Sequence, residues 1–155
     1  MKPRNTSARN GSNFEADIVA ATRSVYMHKN EPRFRMVNGK WTPDAKGDRP
    51  PDFSACVGGR SILFDAKSTE EETWPVSLLK AHQSVALDRH LSAGGVSAVF
   101  LRLRSRGDAV HRWLPWALVS PVFWAWWDAP GSSAGRFGVE DGVGVVGCDW
   151  VGVLK

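Results

Sequence analysis

Cysteine is almost missing from the 155 residues: Cys56 and Cys148 are the only two, and they do not form the Cys-x-x-Cys spacing of a zinc site. That excludes structural zinc and points to free thiols in a reducing compartment. No apolar run reaches the roughly eighteen residues of a membrane span, and residues 2–12 lack the apolar stretch of a signal peptide, so no membrane association is expected. The expected location is the cytoplasm, of a bacterium or of the host of a phage that encodes the chain. Acidic residues are in the minority, 16 against 20 Lys and Arg, for a net charge of +4 and a pI near 9.4. The excess is uneven, because Lys29, Arg33, Arg35, Lys40, Lys46 and Arg49 are close together; this favours a polyanionic partner without demanding one. No second domain is needed. With 43% hydrophobic residues, 1–155 reads as a single domain able to bury roughly 70% of its unfolded surface unaided.

What is present is concentrated in Pro51–Lys67, PDFSACVGGRSILFDAK. Period-two alternation on both sides of Gly58-Gly59 predicts two strands joined by a tight hairpin, since glycine tolerates the positive φ angles of such a turn. With those glycines as the loop, Val57 faces Arg60, Ser54 faces Leu63, Phe53 faces Phe64 and Asp52 faces Asp65. Phe53, Ala55, Val57, Ile62, Phe64 and Ala66 then share a core face. Asp52, Asp65 and Lys67 share the other, with the two carboxylates about 5 Å apart at Cβ. Like charges opposite one another destabilise a sheet. A cation between them would remove the penalty, and Mg²⁺, which takes one or two carboxylates plus substrate phosphate, suits the site. The alternative on residue types alone is an exposed hairpin face bearing an Asp/Lys pair.

Pro51-Asp52 followed thirteen residues later by Asp65-Ala66-Lys67 resembles the PD-(D/E)xK nuclease signature. More specifically, Gly11-Ser12-Asn13-Phe14-Glu15 with Ile18, Tyr26 and His28-Lys29, then Phe64–Ser68, Trp74-Pro75 and Lys80-Ala81-His82-Gln83, resembles RecU-type Holliday junction resolvases. The likeness runs with gaps from about Asn10 to Leu103. Asp65 stands where that family usually has glutamate, and the segment from Pro32 to Arg49 has no obvious counterpart. The resemblance implies a restriction-endonuclease-like mixed sheet flanked by helices, with Asp52, Asp65 and Glu15 at a Mg²⁺ ion for which Mn²⁺ can substitute. It also implies Lys67 at the attacking water and Gln83 within the site. Ser12-Asn13-Phe14-Glu15 is equally a capping box, in which Glu15 would bond back to the start of its helix.

Along the rest of the chain, residues 1–11 read as a disordered basic arm. A helical period from Phe14 through Ile18, Ala21 and Val25 predicts a helix to about Met27. Residues 30–49 read as a loop or a protruding ribbon. By resemblance this is a stalk that enters the junction, with Arg33, Arg35, Lys40, Trp41 and Lys46 touching DNA. Ser77 is placed to cap a helix reaching Leu91, on which Gln83 lies among apolar residues as either a site residue or a helix-rim amide. His82 and His90 are expected at the helix rim or in solvent. Val96–Arg104 predicts a central strand. Arg102, Arg104, Arg106, His111 and Arg112 gather at the turn after it, and Arg102 and Arg104 are the candidate phosphate contacts. Residues 115–127 predict a tryptophan-rich helix with Trp116, Val119, Phe123 and Trp127 inward and indole surface left over at Trp124 and Trp126. Residues 142–154 read as a strand pair or ribbon.

The expected architecture is therefore α/β: a helix, a mixed sheet begun by the acidic hairpin, a helix, further strands and a carboxyl-terminal helix. The expected activity is Mg²⁺-dependent cleavage of branched DNA, in particular of four-way junctions, by a homodimer. Another PD-(D/E)xK nuclease acting on duplex or flap DNA in repair or restriction is the alternative, and a non-catalytic DNA-binding module is a third reading.

Overall fold

The computed structural model describes residues 6–31, 34–43 and 49–154. Arg33, Lys46 and residues 1–5 of the expected basic arm lie outside them. The chain opens with α1 (Thr6–Ala21) and β1 (Tyr26–Lys29). The first helix thus differs from expectation at both ends. It takes in residues 6–11, where Ala8 and Arg9 are good helix formers, and it stops at Ala21. Glu15 sits well inside it, so the capping-box alternative does not apply. Val25 and Met27 supply their apolar spacing from a turn and a strand rather than from a continued helix.

A ribbon follows, β2 (Phe34–Val37) and β3 (Lys40–Pro43), paired antiparallel as a separate two-stranded sheet. Over residues 34–43 it realises the ribbon alternative. Phe34, Met36, Val37 and Trp41 are all exposed, Trp41 at 70%.

The acidic hairpin is β4 (Phe53–Val57) and β5 (Arg60–Ser68), and its register is the one that the glycine loop predicts: Phe53 opposite Phe64, Ser54 opposite Leu63, Val57 opposite Arg60. Gly58 and Gly59 have φ of +56° and +77°, the pair of left-handed conformations that a two-residue loop needs. After β6 (Thr73–Pro75) and a 3-10 turn (Val76–Leu78) comes α2 (Ala81–Ser92). Ser77 lies in that turn and does not cap α2. The helix begins after Lys80, whose N–H is accepted by Gln83 Oε1 at 3.2 Å. α2 is the crossover that lets β7 (Val96–Ser105) lie parallel to β5. Then come β8 (Asp108–Pro115), α3 (Trp116–Trp127), β9 (Arg136–Gly138), β10 (Val143–Val145) and a 3-10 helix (Trp150–Leu154).

The main sheet has the order β1-β4-β5-β7-β8-β10. It starts at β1, not at the acidic hairpin, because Tyr26–Lys29 pairs with β4. Only Val143–Val145 of the expected carboxyl-terminal ribbon is strand, and Trp150 ends the chain differently. Its ring stacks on Trp113 at 5.5 Å, and its Nε1 donates to Thr22 Oγ1 at 2.9 Å, tying the 3-10 helix to the turn that follows α1.

Alternation along the strands divides the interior into two cores. Phe14, Ile18, Phe53, Phe64, Phe100, Trp113 and Trp150 fill the α1 side. Val99, Leu101, Leu103, Leu114, Trp116, Val119, Phe123 and Leu87 fill the side covered by α2 and α3. At about 25 cal/mol per Å², each fully buried aromatic contributes roughly 2–3 kcal/mol, which makes these faces the main source of the sheet's stability. α3 is clamped to α2 by Asp88, whose carboxylate accepts from Trp116 Nε1, from Ser120 Oγ at 3.0 Å and from Trp124 Nε1 at 2.7 Å. Trp124 is therefore engaged, and Trp127, expected inward, is 49% exposed.

Candidate active site

The sheet register brings the acidic residues together. Asp52 immediately precedes β4, Asp65 and Lys67 are on β5, and all three face α2, away from the phenylalanine core of the same hairpin. Asp65 is 0% exposed. Its Oδ1 accepts from Gln83 Nε2 at 2.8 Å and from the Asp52 backbone N–H at 3.3 Å. Its Oδ2 is 2.6 Å from the Lys67 ammonium, yet no donor meets that oxygen in hydrogen-bonding geometry. Asp52 Oδ2 in turn accepts from the Ala66 N–H at 2.9 Å. The two strands thus exchange backbone-to-carboxylate bonds that lock both acids in place.

Burial, followed by the charge of Asp65, pushes the Asp52 carboxyl up from its ordinary 3.8 to about 8. The Ala66 N–H and the Lys67 ammonium pull the other way without cancelling that effect. A pair of oxygens held this close, one of them buried without a hydrogen bond, fits a hard divalent cation with oxygen ligands.

The cavity in front of the pair has a volume of about 270 Å³, and Glu15, Lys29, Asn30, Arg49, Lys67, Lys80, His82 and Gln83 are among the residues on its walls. Glu15 reaches it from α1, where it pairs with Lys29 at 2.7 Å; that partner raises the Lys29 amine. Among the described residues no three His, Cys, Asp or Glu side chains are grouped closely enough to hold a metal together, so Asp52 and Asp65 stand as a pair. Gln83 is buried against Asp65 rather than exposed as a rim amide. Its Oε1 is 3.5 Å from Lys67 Nζ while its Nε2 bonds Asp65, so one amide orients both.

Other residues singled out by sequence are elsewhere. Arg102 pairs with Asp17 at 2.9 Å and lies over the Phe14 ring, and Arg104 pairs with Glu70; both border a different cavity on the α1 side. Arg35, Lys40 and Trp41 are on the exposed ribbon. His82 is a wall residue of the acidic cavity, with Nε2 enclosed and unbonded. His90 joins Ser61 and Ser97, each at 2.9 Å, and burial lowers its imidazole. Sequence reasoning missed Asn30, Arg49, Lys80 and His82 as wall residues. The last two flank Gln83 in the Lys80–Gln83 motif, which was the available signal for them.

The family model of recombination protein U matches residues 42–111. Comparison with curated protein sequences gives no match. Among solved structures, the chain is similar to Hjc from Archaeoglobus fulgidus, described as a Holliday junction resolvase from an archaeal hyperthermophile. That similarity has a TM-score of 0.45 at 15% identity and covers 86% of this chain and 84% of the other. The family match omits Glu15 and the first helix, but it contains Asp52, Asp65, Lys67 and Gln83. Over residues 42–111 the chain thus matches the recombination protein U family, bearing out the RecU-type resemblance of its motifs.

Proposed function

We propose that the chain is a Mg²⁺-dependent endonuclease that resolves four-way DNA junctions. One observation carries the reading: within the span that matches recombination protein U, the buried Asp65 and the half-buried Asp52 lie together at the hairpin with Lys67 beside them. Asp52 and Asp65 would hold the ion, with Mn²⁺ as a substitute, and Glu15 adds negative charge at the rim of the cavity. Bound there, the ion would supply Lewis-acid polarisation of a phosphodiester and a water of lowered pKa.

The chain's own residues do the rest. The Ala66 N–H and Gln83 fix the two carboxylates, so their orientation is set before substrate arrives. Lys67, held between Asp65 and Gln83, is placed to orient the attacking water, take its proton or offset phosphate charge. Arg33, Arg35, Lys40, Trp41 and Lys46 serve junction binding from the ribbon segment, with Arg102 and Arg104 as secondary contacts.

A second copy of the chain is part of the proposal. Paired nicks in strands related by a two-fold axis need two sites, and among the described residues one such acidic pair lines a cavity. The apolar stripe Leu118, Pro121, Val122 and Ala125 along α3 is a surface suited to that contact. Among the described residues no helix is long and apolar enough to cross a membrane. Action on cellular or phage DNA places the protein in the cytoplasm.

The test compares a four-way junction with linear duplex of the same sequence, in Mg²⁺ and in chelator, for the wild-type chain and Asp65→Asn. Paired nicks restricted to the junction, requiring metal and lost in Asp65→Asn while binding survives, are expected. Equal cleavage of linear duplex would refute junction resolution, and undiminished cleavage by Asp65→Asn would remove that residue from the chemistry.

A further inference from the structure

Next to the acidic cavity, and sharing Arg49, Pro50 and His82 with it as a common wall, is a second groove of about 350 Å³. Its far side is formed by Val85, Ala86 and Arg89 of α2. His82, Val85, Ala86 and Arg89 follow the i, i+3, i+4, i+7 spacing of one helix stripe, so the groove runs along α2 for about 10 Å from the acidic cavity, at about 1.5 Å per residue. The floor between its ends is small and apolar. The charges are at the ends and on the facing wall, and both are cationic: Arg49 on the segment leading to Asp52, and Arg89 one helical stripe away.

Among the described residues no acidic side chain lines this groove, and neither guanidinium has a hydrogen bond or ion pair. This contrasts with Arg102 and Arg104, which are tied to Asp17 and Glu70. Two guanidiniums facing a narrow groove are suited to an anion with several acceptor oxygens, since each presents a planar fork of donors. Because the groove adjoins the acidic cavity, the nuclease reading points to the DNA backbone as that anion. The length of the stripe matches about three nucleotide steps at roughly 3.4 Å of rise each along a duplex axis.

We infer that this groove holds the sugar-phosphate backbone of the strand being cut, with Arg89 and Arg49 gripping a phosphate within about three nucleotides of the scissile one. The inference rests on the nuclease reading above and gives it a direction: the strand leaves the acidic cavity along α2. Val85 and Ala86 let the backbone lie close to the helix, and contact there is with phosphate, so it is independent of base sequence.

The experiment measures binding of a labelled four-way junction by fluorescence anisotropy across a NaCl series, in chelator, for the full-length wild type, Arg89→Ala and Arg89→Glu. Cleavage in Mg²⁺ is then measured at saturating enzyme. Arg89 is exposed on α2, and circular dichroism confirms that the variants are folded. Arg89→Ala is expected to weaken binding about threefold to tenfold and to reduce the slope of log affinity against log salt by about one, while the cleavage rate at saturation stays within about threefold. Arg89→Glu should weaken binding further.

Once the wild type has located the cut, a single neutral methylphosphonate is moved along positions one to three nucleotides from it. At one position it should cost the wild type the same factor and cost Arg89→Ala nothing more. Wild-type affinity and slope in Arg89→Ala, or losses that add at every position, would overturn the inference. If the wild type cleaves junctions and Arg89→Ala binds like it, the groove assignment fails and the nuclease reading stands. If the wild type cleaves no DNA, the nuclease reading fails, and the salt slopes still decide whether Arg89 meets phosphate.

Discussion

Asp52→Asn should make the metal-free protein more stable, increasingly so as pH rises. Asp52 titrates near 8 in the folded chain against an ordinary 3.8, so between those values the native state binds a proton that the unfolded state has lost. Stability from this group is therefore fully present below about pH 4 and falls as pH rises towards 8, by about 1.4 kcal/mol per pH unit within the window. Asparagine cannot ionise, yet its amide oxygen can still accept from the Ala66 N–H, so the variant keeps the hydrogen bond and sheds the slope. Between pH 5.5 and 7.5 the stability gap between variant and wild type should widen by about 2–3 kcal/mol in favour of Asn. Urea unfolding in chelator at several pH values measures it, and using the difference between proteins cancels groups common to both. Added Mg²⁺ should stabilise the wild type more at pH 7.5 than at pH 5.5 and leave the variant nearly unchanged, because the ion competes with that proton. A gap that does not change with pH would refute the argument that Asp52 is held protonated by burial and by Asp65.

Lys67→Ala should lower single-turnover cleavage by at least about a hundredfold with under about threefold change in junction affinity, since one ammonium is a small part of a many-phosphate interface; equal losses in both would make Lys67 a binding residue only. Charge reversal at Arg35 and Lys40 should do the opposite, weakening binding and flattening its salt dependence while leaving cleavage at saturation near wild type, as read by anisotropy and a saturating-enzyme assay. Asp88→Ala should destabilise the fold by about 3 kcal/mol, because the indoles of Trp116 and Trp124 lose their acceptor together, and a loss below about 1 kcal/mol in urea unfolding would refute the clamp. Light scattering should give twice the 17.0 kDa chain mass, and wild-type subunits mixed with Asp65→Asn should form dimers that nick a junction once; a monomer that still made paired cuts would refute the dimer.

The acidic hairpin was legible because three independent signals agree there: the glycine loop, the alternation and the charge pattern. Period two leaves no freedom once the loop is fixed, so Phe53 opposite Phe64 brings Asp52 opposite Asp65 without further information. The helix boundaries were less legible. Val25 and Met27 prolong the apolar spacing of α1, but Met27 belongs to β1, whose only evidence is its pairing with β4, a contact between residues distant in sequence. The same reason hid the start of α2. Ser77 is a good cap in isolation, whereas the real start depends on Gln83 turning back to the Lys80 N–H, which its bond to Asp65 holds in place. Trp124 and Trp127 exchanged expected roles because a carboxylate on a neighbouring helix, Asp88, selects which indole is drawn inward. Arg102 and Arg104 were singled out by charge alone, and charge alone does not reveal that Asp17 and Glu70 stand within reach.

The hairpin that carries the acidic pair also carries the core, and the two faces constrain each other. Phe53 and Phe64 stack at 5.1 Å on one face, and Asp52 and Asp65 meet on the other, because adjacent residues of a strand point to opposite sides. A slip of one residue in β4 against β5 would carry Phe53 into the acidic cavity and Asp52 into the α1 core. The aromatic core thereby holds the acids against their mutual repulsion. At roughly 2–3 kcal/mol for each buried phenylalanine, the stack can offset the several kcal/mol that ionising Asp52 beside the Asp65 carboxylate costs. On this argument the acidic pair is most strained when it is metal-free, and the strain is borne by packing on the opposite face of the sheet. Weakening that packing, for instance with Phe64→Leu, should therefore cost more stability in chelator at about pH 9, where Asp52 is ionised, than the same substitution costs in an Asp52→Asn background, where the repulsion is gone. A double-mutant cycle by urea unfolding measures that coupling, and additive losses would show that the two faces act independently.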